Sequence, residues 1–342
     1  MTGLIKICRT EGLILRQNFA VIRFSSLGDV ILTTPFCENI KLNHPGSFIS
    51  FFTKRAYAPV FEENPFVDRV IALEDHGLPQ LIRLMRKINP DRIYDLHSSL
   101  RSRALGALFP LRASRVKTYR KERKKILKGQ SAIIPDAVRR YLDVLAADKI
   151  KIHTDKTALF LSAREKDRAR RILLSQGIPP DGEIICVAPQ AKWPLKEWSR
   201  FPEFFEAAAK PGRYFILTGD DYARAQNLLP ANRYHVNFVK NLSGRLSMRM
   251  FFAVMDAASC VISMDSGAAH AASALGKPLI VFFGPTVMDF GFAPAGAKIM
   301  QVDVPCRPCH LHGGKDCARG DRVCMESISA KDLTLAVEEM LK

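Results

Sequence analysis

Between two apolar runs, "CVISM" and "PLIVFFG", lies a segment of very small side chains that also holds Asp265, Ser266, Gly267 and His270. Ser266-Gly267-Ala268-Ala269 reads as the first turn of a helix. Backbone N–H groups without intrahelical partners and the positive end of the helix dipole lie there. Small residues let a phosphate approach those groups closely, which makes an anion site. Ser266 and His270 are four apart and share a face. Asp265 would repel a phosphate, so its chemistry is the binding of sugar hydroxyls beside one. The same residues also read as an ordinary N-cap, with alanines for tight helix packing and a histidine satisfied in the core. Both readings stand at this level. The spacing is not G-x-G-x-x-G, which disfavours a nicotinamide cofactor.

Three other clusters carry chemistry. "SSLGD" places Asp29 at the start of a helix, where the dipole keeps a carboxylate ionised. It reads either as a helix cap or as a general base for a hydroxyl. "DLHSSLRSR" sets Asp95, His97, Arg101 and Arg103 at the end of a strand, and arginine forks suit carboxylates and phosphates. "CRPCHLHGGKDCARGDRVC" carries Cys306, Cys309, Cys317 and Cys324, with His310 and His312 between. Its Cys-x2-Cys is half of a zinc pattern, but the second half, Cys-x6-Cys, is less standard. Packed thiols or an opportunistic disulfide are the alternatives.

Alternating strands and helices must position these clusters. "FAVIRF", "SFISFFT", "VDRVIAL" and "DRIYDL" read as strands, with "VILTTPFCENIKL" and "LPQLIRLMRKINP" as helices between them. After the helix "IPDAVRRYLDVLAAD" and the polar stretch "KIKIHTDKT" the pattern begins again. "EIICVAP", "RYFILTG", "CVISM" and "PLIVFFG" are its strands; "WSRFPEFFEAAAK", "SMRMFFAVMDAA" and "SGAAHAASAL" are its helices. This alternation predicts α/β architecture with parallel sheets, as two Rossmann-like domains facing a cleft. Their ligands are expected beyond the carboxyl ends of the strands. At 342 residues the chain is too long for one ordinary core. The expected division is 1–165, 166–328 and a final helix at 329–342.

An apolar fraction of 47% and a charged fraction of 25% are those of a soluble globular protein. No window approaches a membrane span. The N-terminal stretch has charges inside its apolar part and no small-residue cleavage site, so it does not read as a signal peptide. A cytoplasmic location with mostly reduced cysteines is expected. The net charge of +17 favours an anionic partner: nucleic acid, a phosphorylated substrate or an acidic membrane surface. Part of it is concentrated in "RASRVKTYRKERKK", residues 112–125, which reads as a solvated face or as an electrostatic contact. No aromatic-interleaved basic platform or zinc-finger spacing supports nucleic acid.

"MDSGAAHAASALGKPLIVFFGPT" resembles the D-S-G-x-x-H-x-A-x-A…P…F-G-P-T signature of the glycosyltransferase family 9 heptosyltransferases, GT-B enzymes of lipopolysaccharide inner-core synthesis. Three further regions resemble that family in the same order: "VIRFSSLGDVILTTP", "DLHSSLRSRALG" and "APQAKWPLKEWSRF". The resemblance implies inverting transfer of a heptose from ADP-heptose to a lipid A–Kdo type acceptor, with the first domain holding the acceptor and the second the nucleotide sugar. It implies that Asp29 is the catalytic base and that Lys196, two residues before Trp198, neutralises the donor pyrophosphate, with Lys192 as the fallback. Asp265, Ser266, Gly267 and His270 become donor ligands, and Asp95, His97, Arg101 and Arg103 acceptor ligands. No metal or cofactor is implied, and the cysteine tail takes no part in transfer. The partners would be the nucleotide sugar and the lipid-linked core oligosaccharide, with peripheral contact at the anionic inner leaflet. The chain departs from the family at Gln190, where Gly is usual, and at Ser199, where Pro is usual; both put the loop around Lys196 in question. A GT-B enzyme of another kind, such as a nucleotide-sugar epimerase, and a basic nucleic-acid-binding protein are the rival readings.

Overall fold

Runs of Val, Ile and Phe that are buried on both faces pair into parallel strands, because helices cover each side of the sheet. The computed structural model describes residues 16–75, 77–232 and 236–342. The first 15 residues, and with them most of the stretch bearing on a signal peptide, lie outside the described residues. The order of elements is β1 (Asn18–Ile22), α1 (Leu27–Ile31), α2 (Thr34–Asn43), β2 (Phe48–Thr53), β3 (Arg69–Ala72), α3 (Leu78–Ile88), β4 (Arg92–Asp95), α4 (Leu100–Gly106), β5 (Ala113–Arg115), α5 (Arg120–Leu127) and α6 (Ala137–Ala147). The second half continues with α7 (Ala163–Ser175), β6 (Glu183–Ala188), α8 (Phe201–Ala208), β7 (Arg213–Leu217), α9 (Tyr222–Gln226), β8 (Val239–Asn241), α10 (Met248–Asp256), β9 (Cys260–Met264), α11 (Gly267–Ala274), β10 (Leu279–Phe282), β11 (Lys298–Met300), α12 (Val323–Glu326) and α13 (Ala330–Met340).

One sheet has the order β3-β2-β1-β4-β5, the other β11-β10-β9-β6-β7-β8. In each, the chain leaves its first strand in one direction and later returns to that strand's other side. The crevice at such a reversal is where doubly wound sheets bind ligands. The two reversals fall between β1 and β4 and between β6 and β9. Asp95 ends β4, Asp29 lies in the helix that follows β1, and the loops bearing Lys196 and Asp265 leave β6 and β9.

The helix expected to run on through "VILTTPFCENIKL" is two helices. Pro35 cannot donate a backbone hydrogen bond. The hydroxyls of Thr33 and Thr34 turn back onto the carbonyls of Val30 and Ile31 at 2.7 and 2.9 Å. Helix α7 lies in the stretch between the two strand-rich halves, capped by Ser162 with Glu165. The boundary expected at 165 therefore falls inside its first turn.

The halves are laced together. Asn39 on α2 donates to Thr154 O at 2.7 Å and accepts from His153 N at 2.6 Å. Arg249 on α10 is 7% exposed and forks onto both oxygens of Glu165 at 2.6 and 2.7 Å. It also reaches the carbonyl of Pro59 in the first half at 3.0 Å. Those hydrogen bonds above all hold the Glu165 carboxyl down to about 2. Helix α13 packs under α8 and against β10, and Trp198 donates to Ile328 O at 3.1 Å.

Candidate active site

The first junction follows β1. Arg23 sits just past a buried apolar strand, so its charge must find partners. It donates to Leu96 O, beyond the neighbouring β4, at 2.7 Å and pairs with Asp29 Oδ1 at 2.6 Å. Asp29 is the third residue of α1. Its Oδ2 accepts from Ser26 N at 3.1 Å and Ser26 Oγ at 2.8 Å, closing a capping box. Tyr141 on α6 adds a longer contact to Oδ1, 3.4 Å. Burial works against the charged form of Asp29, but Arg23 and the hydrogen bonds from Ser26 outweigh it and hold the carboxyl below its ordinary range. Burial pushes the Tyr141 phenol up to about 12.

At the second junction two loops meet because β6 and β9 are neighbours. Lys196 Nζ donates to Asp265 Oδ2 at 2.5 Å and lies 3.3 Å from Asp265 O. Thr286 Oγ1 donates to the same Oδ2 at 2.7 Å. Asp265 therefore orients Lys196 through Oδ2. Lys192 is exposed and stands 5.7 Å over the Trp193 ring. Of the two lysines, Lys196 is the one held at the junction.

The two departures anchor this loop. Gln190 Oε1 accepts from Asp220 N and Asp221 N, both at 3.0 Å, tying it to the turn after β7. Ser199 Oγ donates to Glu326 Oε2 at 2.6 Å, tying it to α12.

Helix α11 starts as expected, with Ser266 accepting from Ala268 N at 3.3 Å. Its small residues answer a packing need. A Cβ on Gly267 would stand 2.9 Å from Leu27 Cβ, and a Cβ on Gly28 would stand 2.5 Å from His270 Cδ2. Helices α1 and α11 thus meet start to start across the domain interface. His270 is buried there; burial lowers its proton affinity more than Asp265 and Asp29 raise it, so the imidazole is neutral at pH 7.

The acceptor candidates separate. Asp95 is 1% exposed, and its oxygens accept from His97 N at 3.0 Å, Ser98 N at 2.8 Å and Ser102 Oγ at 3.1 Å. It holds the loop and is not available as an acceptor ligand. His97 lies against Phe24, with ring centroids 5.0 Å apart. Its Nδ1 is buried and finds no hydrogen-bond partner among the described residues. Burial, then the charge of Arg23, lowers its proton affinity. Arg101 and Arg103 are exposed on α4.

Sequence reasoning did not single out Arg23, Tyr141, Arg140, Thr286 and the placement of Arg123. Arg123 turns inward from the basic run and stacks 5.0 Å over Phe292, where Arg140 stands at 4.8 Å. Burial, then Arg140, lowers the Arg123 pKa. His312 is depressed by burial and by Arg123 and Lys196, with Asp29 opposing, so groups from both domains act on one ring. An arginine inside the apolar run "FAVIRF" was the one available signal.

The four tail cysteines line one small cavity with Leu195, Pro285 and Arg322. Burial pushes the Cys324 thiol up to about 11. No group of three or more His, Cys, Asp and Glu among the described residues is arranged to hold a metal ion.

Comparison with known proteins agrees with this layout. The profile of Glycosyltransferase family 9 (heptosyltransferase) matches residues 79–319. Lipopolysaccharide heptosyltransferase 3 of Escherichia coli is 24% identical over 340 residues, covering 92% of this chain and 96% of the relative. Lipopolysaccharide heptosyltransferase 2 of Salmonella typhimurium is 24% identical over 296 residues, covering 80% of this chain and 84% of its own length. The solved structure of E. coli ADP-heptose lps heptosyltransferase II superposes with a TM-score of 0.75 at 22% identity, covering 95% of this chain and 98% of that one.

Proposed function

The chain belongs to glycosyltransferase family 9, the heptosyltransferases, and from that premise we propose that it moves a heptose from ADP-heptose to the lipopolysaccharide inner core with inversion at the anomeric carbon. What carries the proposal is the meeting of the two junctions: a carboxylate, Asp29, fixed on the first-domain side, and a lysine, Lys196, fixed on the second. In this reading Asp29 takes the proton of the acceptor hydroxyl as that oxygen attacks C1 of the heptose. Its Tyr141 contact is the longest of four and is the one an acceptor hydroxyl would replace. ADP leaves on the opposite face. Charge developing on its pyrophosphate is met by Lys196 and by the N–H groups that open α11.

Arg23 and Asp95 act as positioning residues, one for Asp29 and the other for the loop bearing His97. In this reading His97, Arg101 and Arg103, together with Arg123 and Arg140, meet the acidic acceptor. We place the reaction in the cytoplasm, with the acceptor presented at the inner leaflet. No helix of the described residues is long and apolar enough to cross a membrane.

The decisive test is a screen of nucleotide sugars with purified core acceptors, read by product mass. Heptose added only when acceptor is present is the expected result. A rearranged sugar nucleotide formed without acceptor would assign an epimerase instead, and turnover with a different sugar nucleotide would replace the donor.

A further inference from the structure

Charge on this protein is concentrated in one segment. Residues 77–131 contain fifteen Lys and Arg against three Asp and Glu, a net of +12 out of +17 for the whole chain. Two of the three acids are engaged: Asp91 accepts from Asn18 N at 2.7 Å, and Asp95 is buried. The segment comprises α3, β4, α4, β5 and α5. Helices α3 and α4 pack side by side as one layer. Their inner face is already satisfied, with Leu81, Met85 and Leu105 buried against the sheet.

The same stretch of chain carries exposed apolar side chains the fold does not use. Leu100, which opens α4, is 88% exposed, and Leu111, in the turn beyond its far end, is 94% exposed. Ile133, on the connection from α5 to α6, is 89% exposed; the next most exposed large apolar side chain among the described residues, Leu335, stands at 52%. A single exposed leucine is ordinary. Here the three extremes fall within or just beyond the segment that holds most of the charge. On α3, Leu78, Pro79 and Ile82 line a shallow groove of about 360 Å³ together with Arg83 and Arg86.

We infer that the exposed surface of residues 77–133 docks on an anionic lipid surface, its cations meeting the headgroups while Leu100, Leu111 and Ile133 enter below them. Interfacial binding combines these two contributions, buried apolar area and attraction to acidic lipid. A nucleic-acid backbone would use the cations and leave the aliphatic side chains in water. Leu100 is three residues beyond His97, so docking this way sets the cleft mouth against the bilayer. The inference deepens the reading of a lipid-linked acceptor and rests on it only for the reason the enzyme should be there; vesicle binding is measured without acceptor or donor.

The experiment is flotation of the full chain with vesicles of phosphatidylcholine, with and without phosphatidylglycerol. Three proteins are compared: wild type, Leu100→Ser with Leu111→Ser, and Arg83→Glu with Arg86→Glu, Lys124→Glu and Lys125→Glu. Heptose transfer to a delipidated, soluble acceptor is assayed in parallel. Wild type should float only with the acidic lipid. Both variants should lose at least about tenfold in vesicle affinity at ~150 mM salt, keep the wild-type melting temperature and retain soluble transfer. Absence of wild-type flotation overturns the docking face, as does a leucine variant that floats as wild type does. Equal tightness for a DNA duplex, lost only in the charge variant, assigns the face to nucleic acid and overturns it too. Failed transfer with intact flotation counts against the proposed reaction and leaves the docking face standing.

Discussion

Two strand-to-helix junctions meet across the domain interface, and each holds an acid against a cation. At the first, the partners are local. Asp29 is six residues from Arg23 and three from Ser26, and only Tyr141 comes from far away. At the second, the partners are assembled over distance. Lys196 reaches Asp265 across 69 positions and Thr286 reaches it across 21. The acid of the first junction lies inside its helix, where the dipole and the capping box reinforce its charge. The acid of the second precedes its helix and serves to hold a lysine. One junction is thus built to keep an anion, the other to aim a cation, as attack by an oxygen and departure of a pyrophosphate would require.

The largest effect expected from this contrast is at Asp29. Asn is nearly isosteric and can still cap α1, but it cannot take a proton. Asp29→Asn should lower kcat by about 10²–10⁴, while calorimetric affinity for ADP-heptose stays within about twofold. A kcat within threefold of wild type would make the residue a cap and move the base elsewhere. Lys196→Met comes next. It should lose about ten- to a hundredfold in donor affinity and turnover together, and it leaves Asp265 without its cation. Adding Asp265→Asn should restore thermal stability and leave turnover low. If the double variant regains turnover, Lys196 serves only to neutralise Asp265.

The contact between the junctions gives a smaller effect. Gly28→Ala drives a Cβ into His270 and should cost about 1–3 kcal/mol by overpacking. Combining it with His270→Ala should relieve most of that loss in melting experiments; strict additivity would mean the helices do not press together there. The finest test is pH. Because Arg23 and Ser26 hold Asp29 below the ordinary carboxylate range, this proposed base is ionised throughout the neutral region. Its contribution to stability is present above the unfolded carboxyl's pKa and is lost as pH falls through the depressed folded one. The acid limb of kcat/KM should therefore lie at low pH. Arg23→Met should shift that limb upward, and an unmoved limb would show that Arg23 does not set the charge state of Asp29.

Departures from the family pattern reward the same comparison. Gln190 and Ser199 put the loop of Lys196 in question when read as letters. In the folded chain, Gln190 clasps two backbone N–H groups of the neighbouring turn and Ser199 clasps Glu326, so the loop is held by different atoms. The basic run likewise divides into two: Arg123 stacks inward on Phe292, while Lys124 and Lys125 stay outside.

Local pattern was enough for much of this protein. Alternating apolar runs and helical periodicities gave the order of most elements, because burial on both faces of a parallel strand and on one stripe of a helix leaves a trace within ten residues. The place of Asp29 at a helix start was legible for the same reason. Helices α5 and α7 lay hidden in charge-rich stretches where the apolar stripe is too narrow to stand out. The meaning of the small residues at 266–269 also waited for the fold, since what approaches Gly267 is Leu27, brought there by domain packing. The withdrawal of Asp95 into its own loop and the capture of Asp265 by Lys196 depend on which strands are neighbours. Strand order is decided by the packing of whole layers, and residues 69 apart become partners only once two loops leave adjacent strands from the same edge.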